Sequence, residues 1–229
     1  MRYKVLLLDV DQTVLDFGRC EREAFFASMK EAGFYCDGGI YRDYSSINDS
    51  FWKMHERKEI SKADLKRERF KTLFSKYSIV FDPAKFAYIY EENLCQKYFY
   101  IDGAKEFLED IYQKIDIRLI TNGTVKAQTN RIKGSGLDRY VNGIYISDAM
   151  GCQKPGADYF EMVYADLRGA GKEQIVVMGD SLTSDIKGGA DFGLDTILFD
   201  PGKSKRSDEV KPTYVAGDYE EAKKIILSE

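Results

Sequence analysis

Two aspartates stand two residues apart in Asp9-Val10-Asp11-Gln12-Thr13, directly after Tyr3-Lys4-Val5-Leu6-Leu7-Leu8. The apolar run reads as a fully buried strand of a parallel sheet. Carboxylates at the end of such a strand are costly unless something compensates them. A divalent cation is one remedy. The open mouth of a parallel sheet, where ligands bind beyond the carboxyl ends of the strands, is another. The stretch therefore has two readings. One is a magnesium site holding a reactive aspartate. The other is an Asp-rich turn in which Asp11 and Thr13 bond nearby backbone.

Three further segments bear on the choice. Thr121-Asn122-Gly123 follows Ile117-Arg118-Leu119-Ile120 and combines a hydroxyl, an amide and a flexible backbone. That is the composition of an anion cradle at a strand-to-helix turn. Gly179-Asp180-Ser181 follows Ile175-Val176-Val177-Met178, with Asp185 five residues beyond Asp180. Between them lies Gln153-Lys154-Pro155. Taken singly, these are an ordinary turn, a helix cap, a first-turn charge and a solvated lysine. In a parallel sheet, however, all such strand ends share one edge. Four carboxylates and a lysine would then converge there, an arrangement that separate coincidences do not readily produce.

The elements that must position these residues fall into two kinds. From about Arg19 to Tyr98 the periodicity is helical. Ala24, Phe25, Ser28, Met29 and Ala32 line one face and Gly33 suits a C-terminal cap. A second helix is expected from near Tyr44 to Arg57. Ser61 opens a third, with Leu65, Phe70, Leu73 and Phe74 as its apolar side. Asp82-Pro83 opens a fourth, reaching about Gln96. From Asp102 onward strands alternate with helices, as in a parallel, doubly wound sheet. The expected organisation is an α/β core formed by residues 1–16 and 99–229, interrupted by an inserted all-helical domain at 17–98. Gly202 to Ser207 reads as a basic-polar surface loop.

Composition sets outer limits. The chain has 229 residues, a net charge of −4, and 44% hydrophobic and 31% charged residues. These values suit a globular protein and give no sign of a nucleic-acid polymer as partner. Cys20, Cys36, Cys95 and Cys152 are scattered, which suits reduced thiols and a cytoplasmic setting. With His55 as the only histidine, a His-based triad is not expected. Nor is a membrane span, since no stretch approaches the necessary length.

The ordered set resembles the motifs of the haloacid dehalogenase-like (HAD) superfamily, most of whose members are phosphatases. Asp9-Val10-Asp11-Gln12-Thr13 is similar to its first motif and Thr121 to its second. Lys154 matches the third, and Gly179-Asp180-Ser181 through Asp185 the fourth. The helical insert matches a cap placed just after the first motif. Gln12 stands where many members have glycine. Thr13-Val14-Leu15-Asp16-Phe17, Gln128 with Arg131, Gln153-Lys154-Pro155 and Gly188-Gly189 further resemble the YjjG/YfnB-type branch, which includes pyrimidine 5′-nucleotidases.

The resemblance implies a Rossmann-like core with a helical cap and a Mg²⁺-dependent phosphomonoesterase, with Mn²⁺ able to substitute. Asp9 would be the nucleophile, forming an aspartyl-phosphate, and Asp11 the acid–base. Thr121, Asn122, Gly123 and Lys154 would bind the phosphoryl group. Asp9, the backbone carbonyl of Asp11, and Asp180 would hold the metal, with Asp185 behind them. Phe17 is the expected substrate contact. The implied substrate is a small phosphomonoester, a pyrimidine nucleotide by the branch, and the implied assembly a monomer or small homo-oligomer. Dehalogenase activity is not expected, because true dehalogenases of the superfamily lack an aspartate matching Asp11 and need no magnesium. A sugar-phosphate phosphatase or phosphomutase would share the same core. A non-catalytic phosphate-binding protein would require a missing motif residue, and none is missing.

The insert is rich in aromatics, among them Phe25, Phe26, Phe34, Tyr35, Tyr41, Tyr44, Phe51 and Trp52, most of them expected in helix packing. Lys53, Arg57, Lys58, Lys62, Lys66, Arg67, Arg69 and Lys71 are expected on the solvated side of two helices.

Overall fold

The computed structural model describes residues 2–167, 169–205 and 207–228. They form two compact units, one of Met1–Phe17 with Tyr98–Glu229 and one of Gly18–Lys97.

The first unit is built on a six-stranded sheet. Its strands are β1 (Val5–Asp9), β2 (Asp116–Thr121), β3 (Gly143–Ile146), β4 (Ile175–Gly179), β5 (Asp195–Phe199) and β6 (Tyr214–Ala216), in the order β3-β2-β1-β4-β5-β6. Every neighbouring pair is parallel. A strand buried on both faces must be apolar along its length, and β1 is from Val5 to Leu8. Leu6 and Leu8 enter one core cluster with Phe107, Leu108, Tyr219 and Ile226, so α5 (Ala104–Ile111) and α8 (Tyr219–Leu227) cover that face. Val5 and Leu7 enter the other with Tyr159, Phe160 and Val163 of α7 (Ala157–Asp166).

The central strand β1 lies between β2 and β4, so the strand order runs one way from β1 to β3 and the other way from β4 to β6. Asp9 is in register with Ile120 of β2, and Leu8 with Met178 of β4. The carboxyl ends of β1, β2 and β4 therefore lie side by side at the point where the strand order reverses, the usual ligand crevice of such sheets. The segments joining this unit to the helical insert also pair with each other. Asp16 N donates to Phe99 O, and Ile101 N donates to Val14 O.

The second unit consists of helices. They are α1 (Phe17–Glu31, which begins at the last residue of the first unit), α2 (Gly38–Glu56), α3 (Lys62–Tyr77) and α4 (Pro83–Leu94). Helix α2 starts well before the expected Tyr44. Asp37 caps it, accepting from Gly39 N and Ile40 N, so the two glycines extend the helix instead of delaying it. Ser61 and Asp82 cap α3 and α4 as expected. The core of this unit is aromatic. Phe25 stacks on Tyr44 at 4.2 Å, Tyr44 on Phe70 at 5.4 Å, and Phe86 meets Phe70 edge-on. Tyr35, by contrast, is exposed.

Arg69 departs from the expected solvated face. It is buried, donates to Asn48 Oδ1 at 2.6 Å and lies over the rings of Phe70 and Tyr90. Asn48 in turn donates to Glu21 Oε1 at 2.6 Å, so a polar chain links α1, α2 and α3. Of the expected loop at 202–207, residue 206 lies outside the described residues. Among the described residues no helix is long and apolar enough to cross a membrane.

Candidate active site

Asp9, the last residue of β1, is 6% exposed. Its Oδ1 accepts from Lys154 Nζ at 2.7 Å. The same ammonium donates to Asp185 Oδ1 at 2.6 Å and to Ile120 O at 3.1 Å, which uses all three of its N–H groups. Lys154 is 1% exposed. Burial disfavours its charge, but Asp185 and Asp9 outweigh that and hold it above the usual lysine range.

Lys154 is held by its own backbone. Asn122 Nδ2 donates to Lys154 O at 2.9 Å, and Lys154 N donates to Asn122 Oδ1 at 3.0 Å. The loop after β2 and the segment carrying Lys154 are thus joined by a reciprocal amide pair. Thr121, at the end of β2, is buried, and its Oγ1 accepts from Gly123 N at 3.2 Å and from Gln128 Nε2 at 2.9 Å. A Cβ at Gly123 would come within 2.4 Å of Gln128 Nε2, so only glycine admits that amide.

Asp180 and Asp185 follow β4. Asp185 Oδ2 accepts from Ser181 N at 3.1 Å. At Gly179 a Cβ would meet Asp185 Oδ2 at 2.3 Å, so the glycine is what lets this carboxylate fold back against the strand. Asp9, Asp180 and Asp185 each offer a carboxylate oxygen, and the three oxygens lie within 4.8 Å of one another. Burial, then Asp185 and Asp180, push the Asp9 carboxyl up against the pull of Lys154. Burial and Asp185 likewise raise Asp180, with Lys205 opposing. Negative charge is therefore incompletely compensated where three hard oxygen donors converge, a donor set suited to a small divalent cation. Asp185, expected behind the metal ligands, stands among the three.

Asp11 faces another way. Its Oδ1 accepts from Arg131 at 2.6 Å and its Oδ2 from Gln128 Nε2 at 2.6 Å. Both partners project from α6 (Val125–Ser135) and are buried. The Arg131 guanidinium also lies 5.3 Å from the centroid of the Phe17 ring, so the expected substrate contact packs against the group that holds Asp11. Gln128 and Arg131 stand three residues apart and share a helical face, which was the available sign of a joint role. Gln12 sits at φ 60°, a left-handed conformation that glycine adopts freely, which explains why glycine suits this turn.

One participant gave no sequence signal. Lys205, in the loop after β5, donates to Asp180 Oδ2 and to Asp180 O, both at 2.6 Å. A basic-polar loop reads as solvated surface until its fold is known.

A family model for haloacid dehalogenase-like hydrolases matches residues 6–199. Pyrimidine 5′-nucleotidase PynA of Streptococcus pneumoniae is 37% identical over 96% of this chain and 94% of its own. Pyrimidine 5′-nucleotidase YjjG of Escherichia coli is 23% identical over 99% of both. The crystal structure of the HAD-hydrolase YfnB of Bacillus subtilis, bound to magnesium, superposes with a TM-score of 0.95. It is 32% identical and covers 99% of this chain and 100% of that one.

Proposed function

The chain belongs to the haloacid dehalogenase-like hydrolases, and on that premise we propose that it is a magnesium-dependent 5′-nucleotidase acting on pyrimidine nucleoside monophosphates. The observation that carries the chemistry is the placement of Asp9. It ends the central strand, bonded to Lys154, within a triad of carboxylates. The observation that supports the substrate is the 37% identity to PynA over nearly the full length of both chains.

In this reading a carboxylate oxygen of Asp9 attacks phosphorus in line with the ester bond. The P–O bond to the nucleoside breaks, and the phosphoryl group is left on Asp9 as an acyl-phosphate. Asp11 gives its proton to the departing ester oxygen. It then takes a proton from the water that attacks phosphorus, which releases inorganic phosphate and restores the Asp9 carboxylate. For that, Asp11 must leave the bonds to Arg131 and Gln128 and reach the substrate. Thr121 Oγ1, the amides of Asn122 and Gly123, and Lys154 Nζ, once it exchanges one of its three bonds, bind the phosphoryl oxygens, where charge spreads in the transition state. Asp9, Asp180 and the Asp11 carbonyl, with Asp185 beside them, would hold magnesium, which would supply the positive charge that offsets repulsion between carboxylate and phosphate. Asp11 and Asp180 together favour phosphoryl transfer over carbon–halogen cleavage. Residues 18–97 are read as the inserted cap that selects the leaving group.

The test is phosphate release with Mg²⁺ from dUMP, dTMP and UMP, compared with purine monophosphates and hexose phosphates. The highest kcat/KM is expected for the pyrimidine nucleotides. A hexose phosphate in first place would overturn the substrate assignment and leave the phosphatase chemistry standing.

A further inference from the structure

We propose that Lys205 is a positioning residue that sets the affinity of the site for its divalent cation, by holding Asp180 until the cation displaces the ammonium. The inference rests on reading Asp9, Asp180 and Asp185 as the cation site.

The two lysines at the carboxylates are built differently. Lys154 is almost wholly buried, bridges Asp9 and Asp185, and spends its third N–H on Ile120 O. Its backbone is tied to Asn122 on both sides of the peptide. Removing that ammonium would strand two buried carboxylates, so it stays in place when a cation arrives. The Lys205 side chain is 33% exposed, and its ammonium donates to Asp180 O and to Asp180 Oδ2. An ammonium on a four-carbon stem at such a position can swing into water with little desolvation to undo.

The presence of Lys205 at the site is not incidental to a floppy loop. Asp200, the residue after β5, is buried. Its Oδ1 accepts from Ser204 N at 3.2 Å and its Oδ2 from Lys205 N at 2.9 Å, while its carbonyl accepts from Lys203 N at 3.0 Å. Lys203 adopts φ 50°, which helps the chain turn back on itself. The chain thus curls over the Asp200 carboxylate and delivers Lys205 to the neighbouring strand end. A divalent cation drawing on the Asp180 carboxylate would meet a fixed like charge there, and the two compete for the same group.

The experiment is calorimetric titration of the full chain with Mg²⁺ alone, at low ionic strength and without substrate. It compares wild type with K205M, K205Q and K205R. Removing the competing charge should tighten Mg²⁺ binding about tenfold in K205M and K205Q. K205R, which keeps the charge, should remain close to wild type. The gain should shrink as salt is added, because this competition is partly screened. A merely structural role for Lys205 would weaken binding instead. Unchanged or weaker Mg²⁺ affinity in both neutral variants, with wild type binding normally, overturns the inference alone. Failure of wild type to bind Mg²⁺ would overturn the reading of the carboxylates and this inference with it.

Discussion

Lys154 shows how much one side chain can hold. It is the counter-charge of two buried carboxylates, and nothing else among its contacts can replace it. Lys154→Met should lower the unfolding free energy by about 3–5 kcal/mol, the usual cost of leaving buried charges unpaired. Urea denaturation with EDTA present reads this without interference from metal. The residue was legible in the sequence because a lysine before proline, lying between two polar strand ends, had a motif to belong to. Asp9, Asp11, Thr121 and Asp180 were legible for the same reason: short-range pattern fixes what ends a buried strand. Arg69 was not legible. It follows the charged run Lys66-Arg67-Glu68, and its burial depends on Asn48 and Glu21, which are distant in the chain. Lys205 was missed because it reaches Asp180 only through a loop that folds over Asp200.

Between elements, close approach and polar bridges decide what the helices and strands can do. Gly179→Ala would drive a methyl group into Asp185, with contacts at 2.3 to 2.6 Å, and the strand or the carboxylate must yield. A cost of about 1–3 kcal/mol is expected, as for other forced overpacking. Thermal unfolding of the variant measures it. The bridge from α1 to α3 makes a pH prediction. Burial pushes the Glu21 carboxyl up to about 7, from an ordinary 4.5, with Arg69 opposing and Asp49 adding to the rise. The folded state therefore holds this proton more tightly than the unfolded state. Its contribution to stability is full below pH 4.5 and is lost as pH rises through 7. The stability of wild type relative to Glu21→Gln should fall by about 3 kcal/mol across that window. Denaturant titrations of both proteins at several pH values check it, and a flat difference would remove the assignment. Strands and capped helix starts were legible because a continuous apolar run, a helical period of 3.6 and a Ser or Asp cap are local. The start of α2 was misplaced because a glycine pair is ambiguous until a cap residue such as Asp37 is seen to bond it.

The protein as one object carries a net charge of −4 and gathers three carboxylates at one sheet edge, against two ammonium groups. A cation that binds there binds the folded state alone. Raising Mg²⁺ to 100 times its dissociation constant should therefore stabilise the protein by about 2.7 kcal/mol, and EDTA should reverse the gain. A melting temperature insensitive to both would argue against a cation at these carboxylates. The doubly wound order of the sheet was legible from alternation of strands and helices. It is that order which turns separate polar strand ends into one site. The most direct measurement is phosphate release from dUMP with Mg²⁺ by wild type and by Asp9→Asn, prepared and assayed side by side. Turnover by wild type and none above the uncatalysed level by the variant is the predicted result. Turnover retained in Asp9→Asn would contradict Asp9 as the nucleophile on which the proposed chemistry stands.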